Sequence, residues 1–314
     1  MAEKRTLRRN PGRVYYGGQA VMEGVMIRGP RSMAVACRRP DGEIVVRTEP
    51  LGGVYAGPVR RIPLLRGVIV MWETLALGLR ALVFSSNVQL GQEEKDVQSG
   101  PIWSTAIVSL VVVAAVFFAG PLLLANVLED LLDSHLLVII IEGLIRLGVV
   151  VGYVGIIGLL PDIRRVYAYH GAEHKSIHAL ENGDPLEAAY VQRYPTAHVR
   201  CGTSFLLTVV VVSIIVFAAV GTPELWLRIL SRIVLIPVIA GISYEVIRLG
   251  GAFESSPITK VLMWPNLALQ TLTTRQPDDA QVEVAIRALT EVLAAEGALE
   301  APAAAPAPEA APLD

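Results

Sequence analysis

Charge is scarce in this chain of 314 residues: Asp, Glu, Lys and Arg make up 18% of it, and 27 cationic against 29 anionic side chains leave a formal net charge of −2. A polyanion partner needs a basic surface, so no nucleic-acid partner is expected. The aromatics, 6% of the chain, are not interleaved with a basic groove either. Cysteine is scarcer still. Cys37 and Cys201 alone cannot build a disulfide framework, and the topology argued below leaves both on the reducing side of a membrane. The opening residues Lys4, Arg5, Arg8, Arg9 and Arg13 have no apolar core behind them, so no cleavable signal peptide is expected. The glycine-rich stretch near the start lacks a following Gly-Lys-Ser/Thr, which excludes a phosphate-binding P-loop.

What the chain has instead is apolar length. Hydrophobic residues make up 53%, and the mean hydropathy is +0.51. The run 102–124 is apolar throughout and long enough, at 1.5 Å per helical residue, to cross about 30 Å of hydrocarbon. Further spans are expected at 136–160, which carries Glu142 and Arg146 one turn apart, at 205–220, and at 226–247, where Arg228, Arg232, Glu245 and Pro237 weaken the pattern. Gly221-Thr222-Pro223 suits a turn between the last two. The segment 64–84 is also apolar, but Arg66, Glu73 and Arg80 recur every seven residues as a polar stripe. It is expected to be an interfacial or protein-packed helix. Basic residues before the first span and in the loop 162–200, set against Glu129, Asp130 and Asp133 in the first turn, place both termini in the cytoplasm.

The expected fold is an α-helical integral membrane protein with about four transmembrane helices in two hairpins, a small N-terminal cytoplasmic β subdomain and a C-terminal amphipathic helix. Residues 1–62 form the glycine-rich β subdomain, with strands at 33–37 and 43–48 around Pro40-Asp41-Gly42. The interfacial helix and linker take 63–100, the first transmembrane hairpin 101–160, a histidine-rich cytoplasmic loop 161–204, and the second hairpin 205–249. A cytoplasmic helical segment takes 250–296. In it Val282, Ala285, Ile286, Leu289, Val292 and Leu293 share a face behind a Pro277-Asp278-Asp279 start signal. The Ala/Pro tail 297–314 cannot build a core and is expected to be disordered.

The chemical signal lies in Tyr169-His170-Gly171-Ala172-Glu173-His174-Lys175-Ser176-Ile177-His178, where three of the five histidines stand four residues apart. On a helix they form one stripe. Imidazole is the commonest protein ligand for zinc-like ions, and HxxEH inverts the HExxH order in which two histidines hold a metal while the glutamate serves as base. His170 and His178 are two turns, about 12 Å, apart and cannot share one ion. A site would use His170 with His174, or His174 with His178, and recruit a ligand from His198 or Cys201 across the loop. Histidines at a bilayer interface can also simply bind phosphate groups or pair with Glu173.

The second constellation is Gly17-Gly18-Gln19-Ala20-Val21-Met22-Glu23-Gly24-Val25-Met26-Ile27-Arg28-Gly29-Pro30. Its bland reading is a compact turn with positive-φ glycines and methionines packed on a membrane-facing surface. The functional one brings Glu23 and Arg28 to the histidine site, as a metal or substrate contact and an anion clamp.

Together with YHGAEHKSIHALE, HVRCGTSF and LTTRQPDDAQVEVAIRAL, this string resembles the YqhQ-like family of bacterial integral membrane proteins over nearly the whole chain. The family has proline where this chain has Val199 and often methionine at Ile27; both departures leave the candidate ligands intact. The resemblance matches His170, Glu173, His174, His178, His198 and Cys201 to the family's polar signatures. It implies a metal-dependent enzyme without an assigned reaction. The expected function is a metal-dependent membrane hydrolase with a divalent cofactor, zinc being the natural choice, and Glu173 as general base. The alternative is a non-enzymatic factor for membrane-protein insertion or assembly, partnered by other membrane proteins or a translocon, with a structural histidine site.

Overall fold

The computed structural model describes residues 16–52, 62–92, 99–129, 134–221, 224–253 and 256–298. The basic amino end, Asp130, Asp133, Thr222-Pro223 and the Ala/Pro tail from 299 onward lie outside the described residues. The chain is mostly helical, with one antiparallel sheet at its N-terminal end in the order β1(Gly17–Val21), β2(Gly24–Arg28), β3(Ser32–Arg38), β4(Ile44–Pro50).

Strands β3 and β4 fall where the two short runs around Pro40-Asp41-Gly42 predict them. The glycine-rich stretch corrects the expectation of a compact turn: it is a hairpin, with Val21 opposite Gly24 and Glu23 at its tip with φ of 50°. Its strand character is hidden because the sheet is covered on both faces. Val25, Ile27, Ala34 and Ala36 point into one core, Met26, Met33, Val35 and Cys37 into the other. Cys37, deep in the second core, has its thiol pushed up to about 12 by burial. It is a packed core residue, and neither cysteine is in a disulfide.

The first core is completed by α5(Pro161–Asn182) and α11(Asp279–Ala295). Helix α11 starts at the predicted signal, where the Asp278 side chain and Gln281 form a reciprocal capping box. Its buried Val282, Ala285, Leu289, Val292 and Leu293 cover the sheet; full burial of one such Val or Leu contributes roughly 1.5–3 kcal/mol.

The second core is closed by α1(Leu65–Gln89), through Leu77, Ala81, Phe84 and Val88. Two of the three charges in the polar stripe of α1 make protein contacts, and Arg80 is exposed. Arg66 pairs with Glu245, and Glu73, 1% exposed, takes a 2.7 Å bond from Arg28 of β2. Arg28→Ala would remove a charged partner of that buried carboxylate, with an expected loss of about 3–5 kcal/mol. Arg165→Ala, which opens an exposed pair, should cost no more than about 1 kcal/mol. Melting of the two variants in detergent would contradict this ranking if it placed them together.

The remaining helices are α2(Ser99–Ala114), a π-helical turn Ala115–Ala119, α3(Gly120–Glu129), α4(His135–Ile157), the short α6(Ala188–Val191), α7(Gly202–Val220), α8(Leu225–Val234), α9(Ile236–Ala252) and α10(Pro257–Thr273). Among the described residues, four single helical stretches are long and apolar enough to cross a membrane: Leu65–Gln89, Ile107–Leu124, Leu136–Ile157 and Gly202–Val220. The expected fourth span, 226–247, takes the form of two helices bent by 45° between Val234 and Ile236, with Pro237 opening the second; the pair together is long and apolar enough to cross.

Charges among these helices meet one another. Glu142 accepts from Arg146 Nη2 at 2.5 Å and from Arg232 Nη2 at 2.8 Å, joining α4 to α8. Arg146 also donates to Ser213 Oγ of α7 at 3.0 Å and to the Phe117 carbonyl in the π-turn at 3.1 Å. A π-turn breaks the regular hydrogen-bond ladder, and here the arginine serves one of its carbonyls. The Arg232 guanidinium lies 3.7 Å from the Phe217 ring centre. Glu142→Ala leaves two buried arginines short of their carboxylate and should cost about 3–5 kcal/mol. A double-mutant cycle between Glu142 and Arg232 with no coupling would contradict this arrangement.

Candidate metal centre

Helix α5 carries the histidine stripe through the middle of the protein, and Ala168 to Ile177 includes nine residues buried on all sides. Small side chains make this fit. A Cβ on Gly171 would stand 2.2 Å from the Arg275 carbonyl, so only glycine lets the segment after α10 lie against the helix, where Arg275 N–H bonds to the Tyr167 carbonyl. Gly18 of β1 is equally close on another side: a Cβ there would meet Glu173 Cγ at 2.8 Å.

The stripe divides into two groups. His170, His174 and Cys201 each bring a ligand atom within 4.8 Å of the others, and so do His178, Glu181 and His198. In the first group His170 Nδ1 donates to the Thr273 carbonyl at 2.9 Å and His174 Nδ1 to the Thr196 carbonyl at 2.5 Å. A carbonyl can only accept, so both neutral rings carry their proton on Nδ1 and keep the Nε2 lone pair. This is the tautomer that a metal-binding histidine fixed by an outer carbonyl adopts. His170 Nε2 lies 3.2 Å from Cys201 Sγ, and the buried His174 Nε2 has no hydrogen-bond partner among the described residues. Cys201 caps α7, with the Thr203 N–H pointing at its sulfur. Two imidazoles and a thiol suit a zinc-like ion, with three protein ligands leaving a fourth position for another group.

Glu173 is 4% exposed, with one oxygen 3.6 Å from His174 Nε2. Burial pushes its pKa up, against the opposing effects of His170, His198 and a hydrogen bond from the Gly18 backbone. Burial holds the His174 pKa below its ordinary value, although the Cys201 thiol and Thr196 carbonyl act the other way, so the ring is neutral as a ligand must be.

The second group already holds a cation. Glu181 pairs with the Arg200 guanidinium, and Arg200 also lies 3.5 Å from His198 Nε2. His198 Nδ1 accepts from the Arg200 backbone, His198 Nε2 faces Glu181 at 3.4 Å, and His178 Nε2 donates to the Ala197 carbonyl at 2.9 Å. These bonds tie the loop 192–201 to α5, and a metal would have to displace the guanidinium. His178→Ala is therefore expected to loosen the loop without lowering metal content, measurable by limited proteolysis beside metal analysis.

Of the two residues expected from the glycine-rich strands, Arg28 lines the same cavity as Glu173, His174 and Cys201. Glu23 does not reach the histidines: Arg165 holds it with two 2.5 Å bonds and Tyr169 with one of 3.1 Å. Both partners stand earlier on α5. Sequence reasoning missed Thr196 and Thr273, which act through backbone carbonyls, and Gln270. The amide of Gln270 bonds to both backbone groups of His198 and to Ser204. It also missed Glu181, whose signal was its place three residues after His178.

Residues 62–295 match the family DUF1385, described as a protein of unknown function. The chain belongs to this family. It is also similar to the uncharacterized protein YqhQ of Bacillus subtilis (strain 168), at 38% identity over 299 residues that cover 91% of this chain and 94% of that protein. The YqhQ-like resemblance is thereby confirmed. No solved structure matches the chain.

Proposed function

We propose that this DUF1385 protein is a metal-dependent hydrolase working at the cytoplasmic face of the membrane. The observation that carries this reading is that His174, Cys201 and Glu173 all line one cavity of about 950 Å³. A divalent ion held by His170, His174 and Cys201 would supply Lewis-acid charge and make a neighbouring water more acidic. Glu173 stands ready to take a proton at its carboxylate, 3.6 Å from the ligand nitrogen. The Thr196 and Thr273 carbonyls orient the two rings, and the surrounding helices and sheet limit the access of bulk water.

Packing supports the sidedness. The sheet, α5 and α11 share one core, so they occupy one compartment. Between the sheet and α5 the chain must then cross the membrane an even number of times. The α2–α3 and α4 stretches supply two crossings, which leaves α1 as a helix lying at the interface and packed on the sheet. Between α5 and α11, α7 and the bent α8–α9 pair supply two more. Cysteine labelling at positions 2, 180 and 310 should place all three in the cytoplasm; labelling of position 180 from outside intact cells would overturn the four-span topology.

The assembly-factor reading draws on the exposed apolar faces, such as Ile258, Val261, Leu262 and Trp264 of α10. Metal analysis of detergent-purified protein separates the two: stoichiometric metal that depends on His174 supports the enzyme, and its absence supports assembly.

A further inference from the structure

The cavity beside the metal cluster is lined by two unlike sets of residues. Its polar lining includes Arg28, Glu173, His174, Arg200 and Cys201, while α1 contributes Val70, Met71, Leu75, Leu79 and Leu82. From Val70 to Leu82 that wall runs about 18 Å, more than half of a bilayer's roughly 30 Å hydrocarbon core. Leu75 and Leu82 are 52% and 40% exposed, so the wall is open to the side where the other exposed apolar residues of α1 face. Phe205 of α7 and Tyr244 and Ile247 of α9 close it elsewhere.

The charged lining leans positive. Arg28 and Arg200 reach it beside the one carboxylate Glu173, whereas their own partners Glu73 and Glu181 do not. Guanidinium groups match phosphate oxygens in charge and geometry. We propose that the cavity binds a phosphate-headed lipid, with the head beside Arg28, Arg200 and the histidine–cysteine cluster and the acyl chain along α1. This deepens the hydrolase reading by naming the substrate class, and rests on it only for the role of the cluster at the head. An extended peptide fits worse, because its backbone N–H and C=O groups would go unpaired along an apolar wall. A helix, at 10–12 Å across, asks for a far wider channel than one acyl chain.

The test is native mass spectrometry of the full-length protein in detergent, with palmitoyl lysophosphatidic acid, palmitoyl lysophosphatidylcholine, inorganic phosphate and an apolar helical peptide as probes. The phosphate monoester lipid should give adducts at least about tenfold more readily than the choline lipid, since a charge-assisted hydrogen bond is worth about that factor. Thr74→Trp, which fills the apolar wall at an exposed position, should abolish the adduct while metal content and melting temperature stay unchanged. Arg200→Gln should erase the preference for the anionic head. Equal adducts for both lipids, indifference to Thr74→Trp, equal binding of phosphate without a tail, or preferential peptide binding would each overturn the proposal. A lipid adduct that survives in His174→Ala protein, together with wild-type protein that holds no metal, would uphold the lipid site and remove the hydrolase reading. Metal retention without selective lipid binding would do the reverse.

Discussion

Glu173→Gln should keep the metal and abolish function. The amide preserves the shape of a side chain that is 4% exposed and packed against Gly18, so neither the fold nor the His170–His174–Cys201 group loses a contact that sets its geometry. The amide cannot take a proton. Removing a positioned general base typically costs a factor of about 10²–10⁴. A complementation assay should therefore fall to the level of the empty vector while metal content equals wild type. A fully complementing, metal-replete Glu173→Gln variant would remove the general-base assignment.

His174→Ala should lose both. The ring is 2% exposed, and its two nitrogens face the Thr196 carbonyl on one side and the cluster on the other. Its removal leaves two ligands, too few for a stable zinc-like site, so bound metal should fall from about one ion per chain to background. His178→Ala provides the contrast. Its Nε2 is committed to the Ala197 carbonyl and its group already contains Arg200, so that variant should hold wild-type metal. Equal metal loss in the two variants would merge the groups into one site and refute the division made here.

Local signals carried far in this sequence. The start of α11 was legible because its cap is made by residues three apart, Asp278 and Gln281. The β3–β4 hairpin was legible from its Pro40-Asp41-Gly42 turn. The β1–β2 hairpin was not: burial on both faces replaces alternation with a nearly continuous apolar run, and the glycines that admit Glu173 resemble a turn. The helical stripe of histidines followed from spacing alone, but not its division. That is decided by backbone carbonyls of Thr196, Ala197 and Thr273 and by Arg200, all supplied from segments distant in the chain. Glu23 was misplaced for a related reason. The tip of the hairpin meets α5 at Arg165 and Tyr169, the first of them nine residues and therefore about 13 Å before His174 along the helix axis. The polar stripe on α1 was visible in the sequence, whereas the partners of Arg66 and Glu73, Glu245 and Arg28, could come only from the fold.

The central claim is that Cys201, with His170 and His174, holds the ion. Cobalt substitution reports on it most directly, because a thiolate bound to Co²⁺ adds a sulfur-to-metal charge-transfer band in the near ultraviolet. The purified protein loaded with Co²⁺ should show this band, and Cys201→Ser should lose it while Cys37→Ser leaves it intact. A cobalt-loaded protein without the band, or a band that survives Cys201→Ser, would contradict the account.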